Sequence, residues 1–257
     1  MAHQGKTVLV TGGAGGLGRA IADNFLSVGA NVVICDINDK LLADFNEKTS
    51  STYPDRTLAI KTDITSEAEF DSLFQQIEAK FGHLDYAINN AGIVDRFDPA
   101  GTLELDLWNR VIALNLTAPA FVTKRAVNSM LKAEVKGAIV NIASVSAFKG
   151  GAAGAAYTAS KHGLIGLTKN TTAFYRMKGI RCNAICCGGM QTNIGAGFAT
   201  NPPNLEGMAL MNKSFGEWPG CMADIGGVAK LVASLCDEEQ SFVNGAVVTA
   251  DGGVTAS

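Results

Sequence analysis

Apolar runs of strand length alternate with amphipathic runs of helical length along nearly the whole chain. The strand-like runs are KTVLV, NVVICDI, TLAIKTDI, LDYAINNAG, GAIVNIAS, IRCNAICC and AVVTADGG. Apolar residues at helical spacing predict helices over residues 19–28, 67–80, 107–132, 157–176 and 224–236. Strands this apolar, separated by helices, are typical of a parallel sheet covered on both faces. The pattern predicts a doubly wound α/β fold with a seven-stranded, mostly parallel sheet.

The composition favours one globular domain over residues 1–257. Hydrophobic residues make up 47% and charged residues 18% of the chain, so a large core is available and disorder is disfavoured. The apolar runs are shorter than the roughly 20 residues of a membrane helix, and the first residues lack the pattern of a signal peptide. A net charge of −3 without a basic tract gives little support to a nucleic-acid role. We therefore expect neither a membrane nor a nucleic acid as partner.

The six cysteines do not form a metal-binding pattern. None occurs in a C-x-x-C pair, and no histidine lies at ligand spacing from them. The run RCNAICC is interpreted as a buried strand in which thiols serve as small hydrophobic side chains. We expect no metal, and reduced thiols in a cytoplasmic protein.

A glycine-rich turn, TGGAGGLG from Thr11 to Gly18, joins the first strand to the first helix and can be parsed in two ways. One parse is G-x-G-x-x-G starting at Gly13. The other is T-G-x-x-x-G-x-G, which uses Gly12 and Gly16 instead. In either case the backbone can approach a pyrophosphate that the N–H groups and dipole of the helix N-terminus attract. Glycine turns are common, so the motif needs support from elsewhere in the chain.

Polar residues at the ends of the next strands supply that support. Asp36 ends the second strand 18 residues after the glycine turn, near the offset of about 20 residues for a carboxylate that binds ribose hydroxyls. A carboxylate there would repel a 2′-phosphate, and the neighbouring Gly15 and Ile37 offer no cation, which favours NAD over NADP. Asp63-Ile64 could meet the adenine edge, and Asn89-Asn90-Ala91-Gly92 forms a small, accessible loop. Each could also be ordinary turn chemistry.

A tyrosine and a lysine one helical turn apart follow the fifth strand. That strand ends at Ser144, and YTASK places Tyr157 and Lys161 at i and i+4 on one helix face. A free phenol, with a pKa of about 10, is a poor base near neutral pH. A nearby ammonium and an oxidised nicotinamide would stabilise the phenolate and lower that pKa, so that the tyrosine could exchange a proton with an alcohol. The alternative is an exposed helix with an incidental Tyr and Lys.

Taken together, these motifs resemble the short-chain dehydrogenase/reductase family in order and spacing over nearly the whole chain. They comprise Thr11-Gly12, Gly16, Gly18, Asn89-Asn90-Ala91-Gly92, Asn115, Ser144 and Tyr157-Thr-Ala-Ser-Lys161. The resemblance decides for the wider-spaced glycine parse. It implies a Rossmann-type fold, a nicotinamide cofactor, and a homotetramer or homodimer.

The resemblance also implies a role for each matching residue. Tyr157 would be the acid/base, Lys161 the ribose contact and pKa modifier, and Ser144 the donor to the substrate oxygen. Asn115 would organise a water-mediated proton relay. The cofactor-binding residues would be Gly12, Gly16, Leu17, Gly18, Asp36, Asp63, Ile64, Asn90, Ala91, Gly92, Tyr157, Lys161, Met190 and Thr192.

One position departs from the family pattern. After the sixth strand the family usually has Pro-Gly, and this chain has Cys187-Gly188. Without the proline the loop has a less fixed backbone. Gly188, Met190 and Thr192 still align, so we expect cofactor binding to persist. An exposed Cys187 would also be open to oxidation.

The segment of about 193–222 is expected to form a substrate lid. Its apolar side chains predict an apolar small-molecule substrate, a cyclic or aliphatic secondary alcohol or its ketone, unless they only pack the lid against the protein. A 3-oxoacyl thioester reductase is an alternative, although that activity usually uses NADPH. A catalytically retired nucleotide-binding scaffold is a second alternative. The lid residues are Phe198, Met208, Leu210, Met211, Phe215 and Trp218, with Lys213 as the cation.

Overall fold

The centre of the fold is a seven-stranded sheet in which every neighbouring pair of strands is parallel. We describe it from a computed structural model of residues 2–199, 201–215 and 222–256. The strand order is β3-β2-β1-β4-β5-β6-β7, which confirms the doubly wound prediction; the sheet is wholly rather than mostly parallel. The strands are β1 Thr7–Thr11, β2 Asn31–Asp36, β3 Thr57–Lys61, β4 Tyr86–Asn89, β5 Gly137–Ser144, β6 Ile180–Cys187 and β7 Val247–Ala250.

Eight α-helices longer than one turn connect the strands in the described part of the chain. They are α1 Gly16–Ser27, α2 Asp39–Ser50, α3 Glu67–Phe81, α4 Leu105–Ile112, α5 Ala118–Lys132, α6 Ala155–Tyr175, α7 Leu205–Phe215 and α8 Ile225–Cys236. Two of them, α2 and α7, were not predicted. Each begins after an asparagine whose side chain accepts main-chain N–H groups: Asn38 for α2 and Asn204 for α7.

The helix predicted over residues 107–132 is interrupted. Residues Ala113–Thr117 form a π-helical turn between α4 and α5. Pro119 lies in the first turn of α5 and has no N–H, so it cannot donate to the carbonyl of Asn115 four residues earlier. The hydrogen-bond ladder therefore changes register around Asn115, and such π turns are frequent at functional sites.

The sheet is buried on both faces because its strand residues alternate between two cores. In β1, Val8 and Val10 pack with residues of α1 and α8, whereas Leu9 packs with α3 and α5. All eight residues of β6 are buried, including three cysteines, as the RCNAICC interpretation predicts. In the described residues, no helix combines the length and hydropathy that a membrane crossing requires.

Candidate active site

A cleft of about 770 Å³ runs along the carboxyl edge of the sheet. The strand order reverses between β1 and β4, and ligands of doubly wound sheets bind at this switch point. Fourteen of the sixteen predicted site residues line the cleft, and Gly18 and Asn115 do not. Those lining it are Gly12, Gly16, Leu17, Asp36, Asp63, Ile64, Asn90, Ala91, Gly92, Ser144, Tyr157, Lys161, Met190 and Thr192.

The glycine turn leaves the N-terminus of α1 open to the cleft. Its N-cap, Gly15, has no side chain to accept the first N–H groups, and the first turn contains no acidic residue. Gly16 has φ +52°, a conformation that favours glycine. A Cβ on Gly18 would lie 2.1 Å from the carbonyl oxygen of Gly12, so this residue brings the helix and the turn together instead of lining the cleft. Free N–H groups and the positive end of a helix dipole make a ready anion site.

Thr11 and Asn90 brace this turn against the end of β4. The Asn90 Nδ2 atom donates to the carbonyl oxygens of Thr11 and Gly12 at 2.9 and 3.1 Å. The hydroxyl of Thr11 accepts the N–H groups of Asn90 and Ala91 at 3.0 and 3.1 Å. The structure therefore uses the Asn90 amide to hold the glycine turn in place.

Asp36 stands at the end of β2 with its carboxylate at the cleft. One oxygen accepts the N–H of Ala14 at 3.3 Å, and the other accepts the N–H of Asn38 at 3.0 Å. A carboxylate has about four lone-pair positions, so it can still accept hydroxyl groups of a ligand. Ile37 beside it is 68% exposed. The side chain that follows Asp36 in the chain is therefore uncharged, as the sequence indicated.

Asp63 and Ile64 occupy the far end of the cleft after β3. The Asp63 carboxylate accepts the N–H and hydroxyl of Thr65 at 2.9 and 2.7 Å, which fixes the loop. The side chain of Ile64 is buried. Together they form one wall of the cleft.

Ser144, Tyr157 and Lys161 come together at the opposite end of the cleft. The Ser144 side chain lies close enough to the Tyr157 phenol to favour its phenolate form. The Lys161 amine lies 5.5 Å from the centre of the Tyr157 ring and donates to the carbonyl of Ile142 at 2.9 Å. Tyr157 and Lys161 are 8% and 4% exposed, so both are fixed in position by the surrounding protein.

Burial governs the acidities of this pair. It raises the pKa of Tyr157 well above its ordinary value, and the neighbouring Ser144 side chain opposes that rise. The predicted lowering of the Tyr157 pKa, which requires the oxidised cofactor as well as Lys161, stays a prediction; in the protein by itself, desolvation of the phenolate outweighs its partners. Burial also lowers the pKa of Lys161 to about 8, against the opposing effect of Cys187 and Cys186. The lysine therefore still carries its positive charge in most molecules at neutral pH and loses it at a lower pH than a free lysine does.

Asn115 lies behind the cleft in the π turn and is fully buried. Its Nδ2 donates to the carbonyl of Ile93 at 2.8 Å and to the Ser160 hydroxyl at 3.3 Å, and its Oδ1 accepts the N–H of Ile93 at 3.0 Å. A Cβ on Gly92 would lie 3.2 Å from Asn115 Oδ1 and 3.7 Å from Lys161 Nζ. Glycine at 92 therefore leaves space between the two residues.

Cys187 is buried at the end of β6, opposite Ser144 in the sheet. Burial raises the pKa of its thiol to about 12, so the reactive thiolate is disfavoured. The condition for oxidation, an exposed thiol, is not met. The following Gly188 donates its N–H to the carbonyl of Ala250 at 3.0 Å, which anchors the loop to β7 without a proline.

The residues of the predicted lid differ in their surroundings. Met211 lines the cleft, and the ring of Phe198 lies 5.7 Å from the ring of Phe97, which also lines it. Leu210 is exposed and Met208 is half-buried. Trp218 lies outside the described residues.

One buried acid near the site was not predicted from the sequence. Asp95 is 2% exposed, and its carboxylate accepts the N–H groups of Phe97, Gly154 and Tyr157 at 3.0, 3.0 and 2.8 Å. It follows the Asn-Asn-Ala-Gly loop with no spacing signal of its own, because its partners in α6 lie about 60 residues away. Among the described residues, no group of three or more His, Cys, Asp or Glu side chains could hold a metal ion.

Comparison with known proteins agrees with this arrangement. A family model described as short chain dehydrogenase matches residues 6–202. The short chain dehydrogenase/reductase dpchG of Colletotrichum higginsianum is 48% identical over 255 residues, 98% of this chain and 94% of that protein. The 3beta-hydroxysteroid dehydrogenase 2 of Eggerthella lenta is 36% identical over 254 residues, 98% of this chain and 95% of that protein. The crystal structure of levodione reductase superposes with a TM-score of 0.88 at 29% identity and covers 99% of both chains.

The matches extend over nearly the whole chain and include the strands, the glycine turn and the Ser-Tyr-Lys end of the cleft. The chain therefore belongs to the short-chain dehydrogenase/reductase family, which comprises oxidoreductases that act on CH–OH groups, typically with a nicotinamide cofactor.

Proposed function

We propose that this protein is an NAD-dependent oxidoreductase that interconverts a secondary alcohol and its ketone, with Tyr157 as the general acid/base. The observation that carries the proposal is the meeting of Ser144, Tyr157 and Lys161 at one end of a cleft whose other end contains Asp36. A proton-exchanging group and a carboxylate suited to ribose thus face one continuous cavity.

The cleft fits a nicotinamide dinucleotide on its own features. The N-terminus of α1 has no side-chain cap, which suits a pyrophosphate, and Asp36 can accept ribose hydroxyls. We assign cofactor contacts to thirteen of the fourteen predicted residues that line the cleft, all except Ser144. We assign a packing role to Gly18. When bound, the nicotinamide accepts or gives the hydride.

Tyr157 and Ser144 handle the proton. In the oxidative direction the phenolate oxygen of Tyr157 takes the proton of the substrate hydroxyl, and in reverse the phenol returns it to the carbonyl oxygen. Ser144, beside the phenol, is placed to hold that same oxygen. Because burial raises the pKa of Tyr157, a positive charge close to the phenol is needed to form the phenolate near neutral pH. Lys161 and the oxidised cofactor are the groups we assign to this task.

NAD is favoured over NADP by charge. The Asp36 carboxylate would repel a 2′-phosphate, and Ile37 beside it is apolar. The same argument disfavours the alternative of a 3-oxoacyl thioester reductase, which usually uses NADPH. The intact set of Asn115, Ser144, Tyr157 and Lys161 disfavours a retired scaffold.

The substrate class is an apolar, cyclic or aliphatic secondary alcohol. Phe97 and Met211 line the cleft near the lid, and one relative is by name a hydroxysteroid dehydrogenase. The single-domain organisation, a lid at about 193–222, a homotetramer or homodimer, and a cytoplasmic location stay predictions.

A spectrophotometric screen tests the proposal. The purified protein is incubated with matched alicyclic and polyol alcohols, each with NAD and with NADP, and NADH or NADPH formation is followed at 340 nm. We expect turnover of alicyclic alcohols with NAD. A clear preference for polyols contradicts the substrate class, and a preference for NADP contradicts the role of Asp36. Absence of turnover with all substrates, together with tight NAD binding, favours the scaffold.

A further inference from the structure

The N-terminus of the helix that carries Tyr157 is capped by a distant part of the chain. The N-cap of α6 is Gly154, which has no side chain to accept the first N–H groups. Instead, the Asp95 carboxylate accepts the N–H groups of Gly154 and Tyr157, at 3.0 and 2.8 Å. The carbonyl oxygen of Asp98 accepts the N–H of Ala155 at 2.9 Å. Three of the four N–H groups that a helix start leaves unpaired are thus satisfied from residues 95–98.

The fit between Asp95 and α6 is close. A Cβ on Gly154 would lie 2.6 Å from both carboxyl oxygens of Asp95 and 2.6 Å from the nitrogen of Asp98. One carboxyl oxygen of Asp95 also accepts the N–H of Phe97 at 3.0 Å, which holds the acid in its own loop. Little room remains for Tyr157 to move relative to residues 95–98.

The same four residues contact the lid on their other side. The N–H of Asn204 donates to the carbonyl of Arg96 at 2.7 Å, and its side-chain amide donates to the Asp98 carboxylate at 3.1 Å. A Cβ on Gly207, in α7, would lie 1.9 Å from the carbonyl oxygen of Phe97. Phe97 has φ +64°, a strained conformation for a residue with a side chain, and these contacts on both sides hold it there.

We infer that residues 95–98 connect the substrate lid to the catalytic helix, and that Asp95 is a positioning residue for Tyr157. The inference rests on the proposed function. Asp95 acts through the main chain of Tyr157, because it bonds that residue's N–H and not its hydroxyl. Movement of the lid at Asn204 is passed through Arg96 and Asp98 to the start of α6. The phenol is therefore in its working position only while the lid contacts are made.

Replacement of Asp95 by asparagine tests the positioning role at almost constant volume. One carboxyl oxygen of Asp95 accepts the N–H of Gly154, and the other accepts the N–H of Tyr157. An asparagine side chain has only one oxygen, so in either orientation its NH₂ group faces one of these two N–H groups and cannot accept from it. We expect Asp95→Asn to lower kcat by about 10- to 10²-fold, since a misplacement of about 1 Å can cost 10²-fold. The KM of the substrate and the Kd of NAD should change less than about threefold.

Two further variants keep the result interpretable. Asp237→Asn is the matched control, since its carboxylate accepts the N–H of Glu239 beyond the end of α8, outside the cleft; kcat should be unchanged. Gly154→Ala pushes the Asp95 carboxylate away without removing its charge, and should reproduce the loss of kcat. It replaces Asp95→Asn if that variant does not fold by circular dichroism. If kcat is unchanged in the folded variant, Asp95 is not a positioning residue.

A double-mutant cycle tests the connection to the lid. Asn204→Asp removes the amide that donates to Asp98 and keeps the oxygen that caps α7, and we expect its effect on kcat/KM to be smaller when Asp95→Asn is already present. Additive effects would show that lid and helix are independent and would overturn the inference. Amide hydrogen exchange at the start of α6, which we expect Asp95→Asn to accelerate, is measured without substrate. If the wild type shows no turnover but Asp95→Asn still accelerates this exchange, the proposed function is contradicted and the contact between Asp95 and α6 is not.

Discussion

Two helices present their N-termini to the cleft, and the chain treats them in opposite ways. The start of α1 has a glycine N-cap, no side-chain cap and no acidic residue, so its N–H groups are open to a ligand. The start of α6 also has a glycine N-cap, but Asp95 and Asp98 fill its N–H groups from within the protein. Both ends have the same positive dipole. The difference teaches that a helix N-terminus can bind a ligand anion where its N–H groups are unpaired, and can position a side chain where those N–H groups are paired within the protein.

The largest effect is expected from removal of the Tyr157 hydroxyl, which changes the α6 end of the cleft alone. Tyr157→Phe should lower turnover by about 10²- to 10⁴-fold, the usual contribution of a general acid/base. NAD affinity, measured by protein fluorescence quenching, should stay within about threefold of the wild type because the α1 end is untouched. Retained turnover would remove Tyr157 from the chemistry.

An acidic side chain at the N-cap of α1 should make the start of this helix resemble the start of α6. Gly15 has φ −141°, which any residue adopts, and a Cβ there would meet only the flexible Leu41 side chain at 2.9 Å and Asn193 at 3.5 Å. The charge of Gly15→Asp would repel a bound pyrophosphate; two unit charges about 6 Å apart at an effective dielectric constant near 20 repel by about 3 kcal/mol, which corresponds to about 10²-fold in NAD affinity. Gly15→Ser is the uncharged control and should lose much less. Equal losses in calorimetry would point to sterics instead of charge.

Asp36 sharpens the comparison beyond the α1 end. Asp36→Asn removes the charge and keeps the acceptor to the Ala14 N–H, which lies at 3.3 Å. We expect NAD affinity to fall about tenfold, because hydrogen bonds to charged groups contribute about 1.5–3 kcal/mol. NADP affinity should rise, so that the ratio of the two Kd values moves toward one. An unchanged ratio would mean that the carboxylate does not discriminate.

Lys161 provides a separate test, through stability and pH. Its pKa is about 8 in the folded protein and 10.5 in the unfolded chain, so the unfolded state binds more protons between these values. The folded state then gains stability as pH rises from about 8 to about 10.5, at up to about 1.4 kcal/mol per pH unit from this group. Lys161→Met should lose that gain. The free energy of unfolding of Lys161→Met minus that of the wild type, from urea titrations, should therefore decrease as pH rises from about 8 to about 10.5. A difference that does not change with pH would contradict the shifted pKa.

The residues predicted from sequence share a property that Asp95 lacks. The glycine turn, Asp36 and the Tyr157–Lys161 pair each lie at a fixed offset from a strand or from one another, so local spacing locates them. Asp95 and Asn204 work through partners 62 and 106 residues away. No periodicity marks such pairs, and they become visible only when the chain is folded.

The helical periodicity had a similar limit. It located α3, α5, α6 and α8 well, because their apolar faces pack on the sheet. It extended across residues 113–117, where the missing N–H of Pro119 changes the ladder. Spacing also does not reveal how deeply Tyr157 is buried, and this burial raises the pKa of its phenol in the protein by itself.

The strained backbone at Phe97 has a consequence for engineering new substrate ranges. Its carbonyl fits against Gly207, where even a methyl group would collide. The predicted lid, if transplanted from another member of the family, would meet a mismatched partner unless residues 95–98 were exchanged with it. The unit to be grafted is therefore a pair of segments separated by about a hundred residues, not a single loop.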